Sequence, residues 1–186
     1  MECRDLMQPH GILLTEHRVI EKALRLMAAE KAKMDKGTFD PDTVWALVDF
    51  ISVIGDELHH GKEETILFPA LKGKARSFEF EDITTTLMRE HADIRRHLRV
   101  IREAMECYVD GDEATTETLA IEFGQIVDLY SRHVKKEDSP FFETAMSVLT
   151  EEEKERMMEA MIEYDRSFAL KRYERMIDDA LKTRTK

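Results

Sequence analysis

Apolar positions in this chain recur at steps of three and four almost throughout, the pattern of helices that bury one face. Leu13, Ile20, Leu24 and Met27 form one such stripe; Leu87, Ile94, Leu98, Ile101 and Met105 form another. His17 lies inside the first stripe and His91 inside the second. Five helical segments are expected. The first runs from about Pro9 to Lys36 and stops at Gly37, a helix-ending residue. The second opens at Asp40-Pro41, where Asp caps and Pro suits the first helical position, and continues to roughly Leu71. The third covers about Glu81 to Tyr108, ahead of Asp110-Gly111-Asp112. The fourth covers about Ala114 to Glu137, with Pro140 marking a kink or break. Thr150 with Glu153 makes a capping box for a fifth, ending near Lys182.

The stripes carry a repeat. Glu16-His17-x-x-Ile20, His59-x-x-x-Glu63 and Phe68 return as Glu90-His91-x-x-Ile94, His133-x-x-x-Glu137 and Phe142, every position shifted by the same interval. Repetition of helix, loop and helix together implies two related hairpins about a pseudo-twofold axis. The predicted fold is all-α: an up-down-up-down four-helix bundle over 1–149 with an additional C-terminal helix over 150–186 packing on it.

The repeated residues are those able to bind metal. His and Glu four apart stand on one helix face, about 6 Å apart along the axis. Two such pairs face each other, and each remaining helix adds a histidine. The set His17, His59, Glu63, His91, His133 and Glu137 then offers four nitrogens and two carboxylates, suited to two ions bridged by both acids. Burying two carboxylates without cations is costly, a physical reason to expect metal. The repeat also ranks neighbours. His60 shifted by the repeat interval falls on Val134, so His59 with Glu63 is preferred, and His60, Glu64 and His97 are read as exposed or supporting polar groups. Glu137 is preferred to Asp138, which remains the alternative. Asp56 and Glu57 are candidates to orient ligand imidazoles, or part of a solvated face. Tyr130 faces the site or is a core tyrosine with a backbone partner. His10 is read as a cap or access-channel residue.

Composition narrows the function classes. The net charge of −11, from 28 basic against 39 acidic residues, argues against nucleic acid or an anionic membrane as partner. No run of about 18 apolar residues is present, so no membrane span is expected. The charged start, Met1-Glu2-Cys3-Arg4-Asp5, does not read as a secretory signal, and the expected location is the cytoplasm. Cys3 and Cys107 form neither a disulfide framework nor a thiolate site.

These motifs resemble the hemerythrin-like, or HHE cation-binding, family. The resemblance rests on Leu14-Thr15-Glu16-His17-Arg18-Val19-Ile20, on His59-His60-Gly61-Lys62-Glu63-Glu64-Thr65-Ile66-Leu67-Phe68-Pro69, on Arg89-Glu90-His91 and on His133-Val134-Lys135-Lys136-Glu137-Asp138. It implies an up-down-up-down bundle with a non-haem di-iron centre, His17, His59, His91 and His133 as terminal ligands, and Glu63 and Glu137 as bridges. Where oxygen carriers have a second third-helix histidine this chain has Arg95, which points away from oxygen transport. The cofactor expected is two Fe ions, with Zn or Mn fitting the same donors. The functional expectation is a protein that binds, senses or scavenges O2, NO or peroxide. The alternatives are an oxidoreductase or iron donor in nitrosative or oxidative stress repair, and a metal-stabilised structural bundle. The Met-rich fifth helix is expected to cover the bundle or to mediate a homodimer.

Overall fold

The computed structural model describes residues 8–74 and 77–184. The readings of Cys3 and of the N-terminal segment lie outside these residues. Helix α1 spans Pro9–Met34, with Pro in its first turn where no N–H is needed. The turn that follows it closes on Gly37, whose φ of +66° only glycine adopts cheaply. Helix α2 covers 41–71 and changes winding along its length. Pro41–Phe50 is α-helical and capped by the Asp40 carboxylate, which accepts from the Asp42 and Thr43 amides. Ile51–His60 and Glu63–Leu67 are wider π-helical turns, and Phe68–Leu71 closes the helix. Helix α3 is Ser77–Val109. Helix α4 is Thr115–Lys136, continued through a π turn at Glu137–Phe141 and by Phe142–Ser147. Ser139 leaves helical geometry (φ −164°, ψ 125°), so the chain bends just before Pro140 as the sequence suggests. Helix α5 is Glu151–Arg184, and its start is the predicted box: the Glu153 amide donates to Thr150 Oγ1 (3.3 Å) and the Thr150 amide to Glu153 Oε2 (2.9 Å).

Helix α1 packs on α2 and α4, and α3 packs on α4 and α2, so neighbours in sequence are neighbours in space. This is an up-down-up-down four-helix bundle with a fifth helix laid along it. Helix α5 rests on α1 and on the turn Glu63–Leu67, burying Met157 and Met161. Its Tyr164 hydroxyl donates to the Glu57 carbonyl at 3.0 Å. Gly61 makes that approach feasible, because a Cβ there would sit 2.1 Å from the Tyr164 oxygen. Among the described residues there is no strand, and no helix is long and apolar enough to cross a membrane.

Two apolar clusters fill the bundle. One gathers Ile20, Leu24, Ile51, Ile94, Leu98, Phe123 and Tyr130; the other gathers Leu13, Leu67, Phe68, Leu87, Phe141, Phe142 and Met161. The histidine and glutamate layer lies between them in sequence on every helix: His17 falls between Leu13 and Ile20, and His91 between Leu87 and Ile94. Apolar packing on both sides removes water from that layer and raises the energetic stakes of every polar group in it.

Candidate metal centre

All six residues singled out in the sequence converge. His17, His59, Glu63, His91, His133 and Glu137 are each fully buried, at 0% exposure. The imidazoles meet in pairs across helices: His17 Nε2 is 2.9 Å from His59 Nε2, and His91 Nε2 is 3.2 Å from His133 Nε2. Each glutamate spans the two pairs. Glu137 places Oε2 3.2 Å from His17 Nε2 and Oε1 3.2 Å from His133 Nε2. Glu63 places Oε1 3.8 Å from His59 Nε2 and Oε2 3.4 Å from His91 Nε2. The two π turns, Glu63–Leu67 and Glu137–Phe141, each begin on one of these glutamates and are themselves repeat equivalents.

The outer nitrogen of every imidazole is engaged. His17 Nδ1 donates to Asp138 (2.6 Å), His59 Nδ1 to Glu16 (2.9 Å), His91 Nδ1 to Glu64 (2.7 Å) and His133 Nδ1 to Glu90 (2.9 Å). An ionised carboxylate can only accept, so each Nδ1 carries a proton and each ring turns its Nε2, the atom a metal would need, inward. Four inward Nε2 atoms therefore surround two carboxylates whose four oxygens have no hydrogen-bond donor among the described residues. Lone pairs and carboxylates crowded this closely, away from water, require cations. The spacing suits metal: two nitrogens 2.9 or 3.2 Å apart subtend roughly a right angle at an ion about 2.1 Å from each. Grouped by reach, His17, His59, Glu63 and Glu137 form one donor set. His60, Glu63, His91 and His133 form the other.

The Hemerythrin HHE cation binding domain matches residues 8–145 of the chain. The chain belongs to this family. No curated protein matches it. The HHE domain thus accounts for four helices and both donor sets, and the His/Glu clusters could hold metal.

Without an ion, protons take part of its place. Burial disfavours charge on His17, but its hydrogen bond to Asp138 and the adjacent Glu137 carboxylate outweigh that and push its pKa up to about 10. His91 follows the same logic with Glu63 and Glu64 and rises to about 9. Burial opposes ionisation of Glu63 too, yet the neighbouring His59 and His91 bring it down to about 2. Glu16, Glu64, Glu90 and Asp138 are all held below their ordinary values against the burial that opposes their charge. Their imidazole and Lys or Arg partners overcome it.

Several supporting readings change. His60 and His97 are buried: His97 pairs with Glu122, whereas His60 is fully enclosed beside the HHE donors. Asp138 sits behind His17 as an imidazole acceptor, with Arg18 on its other oxygen at 2.6 Å. Asp56 reaches His60 Nδ1 (3.2 Å), while Glu57 turns to Arg175 of α5 (2.9 Å) and touches no imidazole of the site. Tyr130 is the core tyrosine with a backbone partner, donating to the Gly55 carbonyl at 3.0 Å. His10, in the first turn of α1, lies against Phe142, with ring centroids 6.2 Å apart. Glu16 and Glu90, named in the repeat without a role, are the acceptors behind His59 and His133. Lys62 and Lys136 pair with them in turn. The repeat interval links these lysines as well, a signal available in the sequence.

Proposed function

We propose that the chain is a non-haem di-iron protein that binds, senses or scavenges O2, NO or peroxide. The observation that carries the reading is the pair of fully buried carboxylates, without hydrogen-bond donors among the described residues, spanning two pairs of inward-facing imidazoles. In this reading His17 and His59 hold one ion, His91 and His133 the other, and Glu63 and Glu137 bridge them. Imidazole and carboxylate donors suit iron, with zinc or manganese as competitors for the same set. A bound iron pair would supply redox chemistry and an open position for a small oxidant. The protein's own share is positional. Asp138, Glu16, Glu64 and Glu90 fix each ring's tautomer and orientation, and the apolar clusters on both sides keep bulk water out.

Support for a homodimer through α5 comes from its outer face, where Leu170, Tyr173, Met176 and Ile177 are exposed. The test of function is metal analysis and an optical spectrum of anaerobically purified protein, before and after exposure to O2, NO and peroxide. Two iron ions per chain and a spectral change with one of the three are expected. Reduced, iron-loaded protein that responds to none of them overturns the reading. Zinc that iron cannot replace would instead make the metal structural.

A further inference from the structure

Helix α5 lies beyond the matched domain, which ends at residue 145, yet it reaches the metal layer through one side chain. Lys62 is fully buried, and its ammonium group donates to two carboxylates. One is Glu16 Oε1; the other is Asp165 Oδ1 of α5, at 2.6 Å. The second oxygen of Glu16, Oε2, accepts from His59 Nδ1 at 2.9 Å. Asp165, Lys62, Glu16 and His59 thus form a continuous run of charge-assisted hydrogen bonds, from α5 to a ring whose Nε2 faces the donor layer. A lysine shut away from water has only these two acids to neutralise it, so the share each takes depends on the other. The repeat supplies an internal comparison. Lys136, Glu90 and His133 stand in the same order in the second half, but Lys136 is 38% exposed and among the described residues pairs with Glu90 alone.

Resting on the dinuclear reading above, we propose that Asp165 is a positioning residue for the ion held by His17 and His59. By taking part of the Lys62 charge it leaves Glu16 free to hold the Nδ1 proton of His59, which orients that ring and strengthens its Nε2 as a donor. Without Asp165 the whole Lys62 charge falls on Glu16, the pull on the Nδ1 proton slackens, and Nε2 gives less to the ion. Solvent serves Lys136 as Asp165 serves Lys62, so the other ion needs no such contact. Helix α5 is then part of the metal centre as well as a cover for the bundle.

The test uses the full chain, labelled with 15N-histidine and loaded with zinc as a diamagnetic stand-in, read by long-range 1H–15N NMR and by competition with a chelator. Asp165→Asn should move the His59 ring signals and leave those of His91 and His133 in place. One of two zinc ions should bind on the order of tenfold more weakly, the low end of what a direct imidazole partner contributes. Asp165→Glu, which keeps the charge, should bring His59 back towards its wild-type position. Tyr164→Phe is the control: it removes the neighbouring α5 bond to the Glu57 carbonyl (3.0 Å) without touching Lys62, and His59 should stay put. His59 unmoved in Asp165→Asn, all the ligand rings moving together, or the same shift in Tyr164→Phe overturns the proposal and leaves the dinuclear reading intact. A wild-type chain that takes up fewer than two zinc ions overturns the dinuclear reading and this inference with it. One measurement needs no variant, so the proposal stays exposed even where Asp165→Asn fails to fold. Coupling is reciprocal, so zinc uptake should shift the 13C signal of the Asp165 carboxyl in the wild-type chain, and a carboxyl blind to zinc overturns the proposal.

Discussion

Metal uptake by this bundle should expel protons, in a number the structure sets. In the metal-free chain His17 titrates near 10 and His91 near 9. At pH 8 each therefore carries its extra proton in about nine molecules in ten or more. Glu63, near 2, is ionised and has no proton to give. A metal ion needs the lone pair that the proton occupies, so filling both positions at pH 8 should release about two protons per chain. At pH 9.5 His91 is mostly neutral already and the release should fall to about one. Apparent affinity for the pair of ions should correspondingly weaken by about a hundredfold per pH unit below 9, tenfold for each proton displaced. The stability of the metal-free chain should run the opposite way. Both imidazoles have folded pKa values above the ordinary 6.5. Their contribution is complete below pH 6.5 and is lost as pH rises through 9 and 10, at up to about 1.4 kcal/mol per unit for each. The assay is zinc titration of the metal-free chain in weakly buffered solution with an indicator dye at pH 8 and 9.5, beside thermal melts over the same range. A release equal at the two pH values, or metal-free stability that climbs from pH 7 to 10, would refute this account of what fills the site without metal.

Other perturbations follow from single contacts. Glu63→Gln should cut metal stoichiometry from two per chain to one or none, as read by elemental analysis, because an amide cannot supply the bridging charge. Glu16→Ala or Glu90→Ala, which frees the Nδ1 of His59 or His133, should weaken metal binding by about 10- to 100-fold in competition with a chelator. Asp165→Ala removes a partner 2.6 Å from the fully buried Lys62 and should lower stability by about 1 to 2 kcal/mol, the partial exposure of Asp165 limiting the loss. Lys136→Ala, at the half-exposed repeat equivalent, should cost under about 1 kcal/mol in the same denaturant titration. Truncation after Leu149 should turn a dimer into a monomer on gel filtration and lower the melting temperature. An unchanged elution volume would remove α5 from any interface.

Helix ends were legible wherever a residue has one strong backbone preference. Gly37, Asp40-Pro41 and the Thr150/Glu153 box each mark a boundary within a few residues. The sequence predicts α3 from about Glu81 whereas the helix starts at Ser77, because the turn before Glu81 carries no clear three-and-four spacing. Phe80 nonetheless joins the apolar cluster that contains Phe68 and Phe141. The partner of Glu57 was illegible for a different reason. It is Arg175 of α5, and no pattern in either segment says along which groove a fifth helix will lie.

Of the two readings of His60, exposed or supporting, burial excludes the first, for a reason that bears on the site itself. Val134 is the equivalent of His60 only if the two halves match at every position, and an ideal α-helix turns adjacent side chains about 100° apart. On that winding, a helix that presents His59 to the core points His60 elsewhere. The stretch Ile51–His60 is π-helical, with bonds reaching one residue further and more residues per turn, so adjacent side chains diverge less. His59 and His60 can then both be buried, and both are. The second half of the chain has no such stretch ahead of His133: Thr115–Lys136 stays α-helical up to Glu137. The repeat thus fixes the matched pairs, His17 with His91, His59 with His133 and Glu63 with Glu137. Where its symmetry fails, at the winding of α2, one half of the layer gains an imidazole that the other half has no means to present.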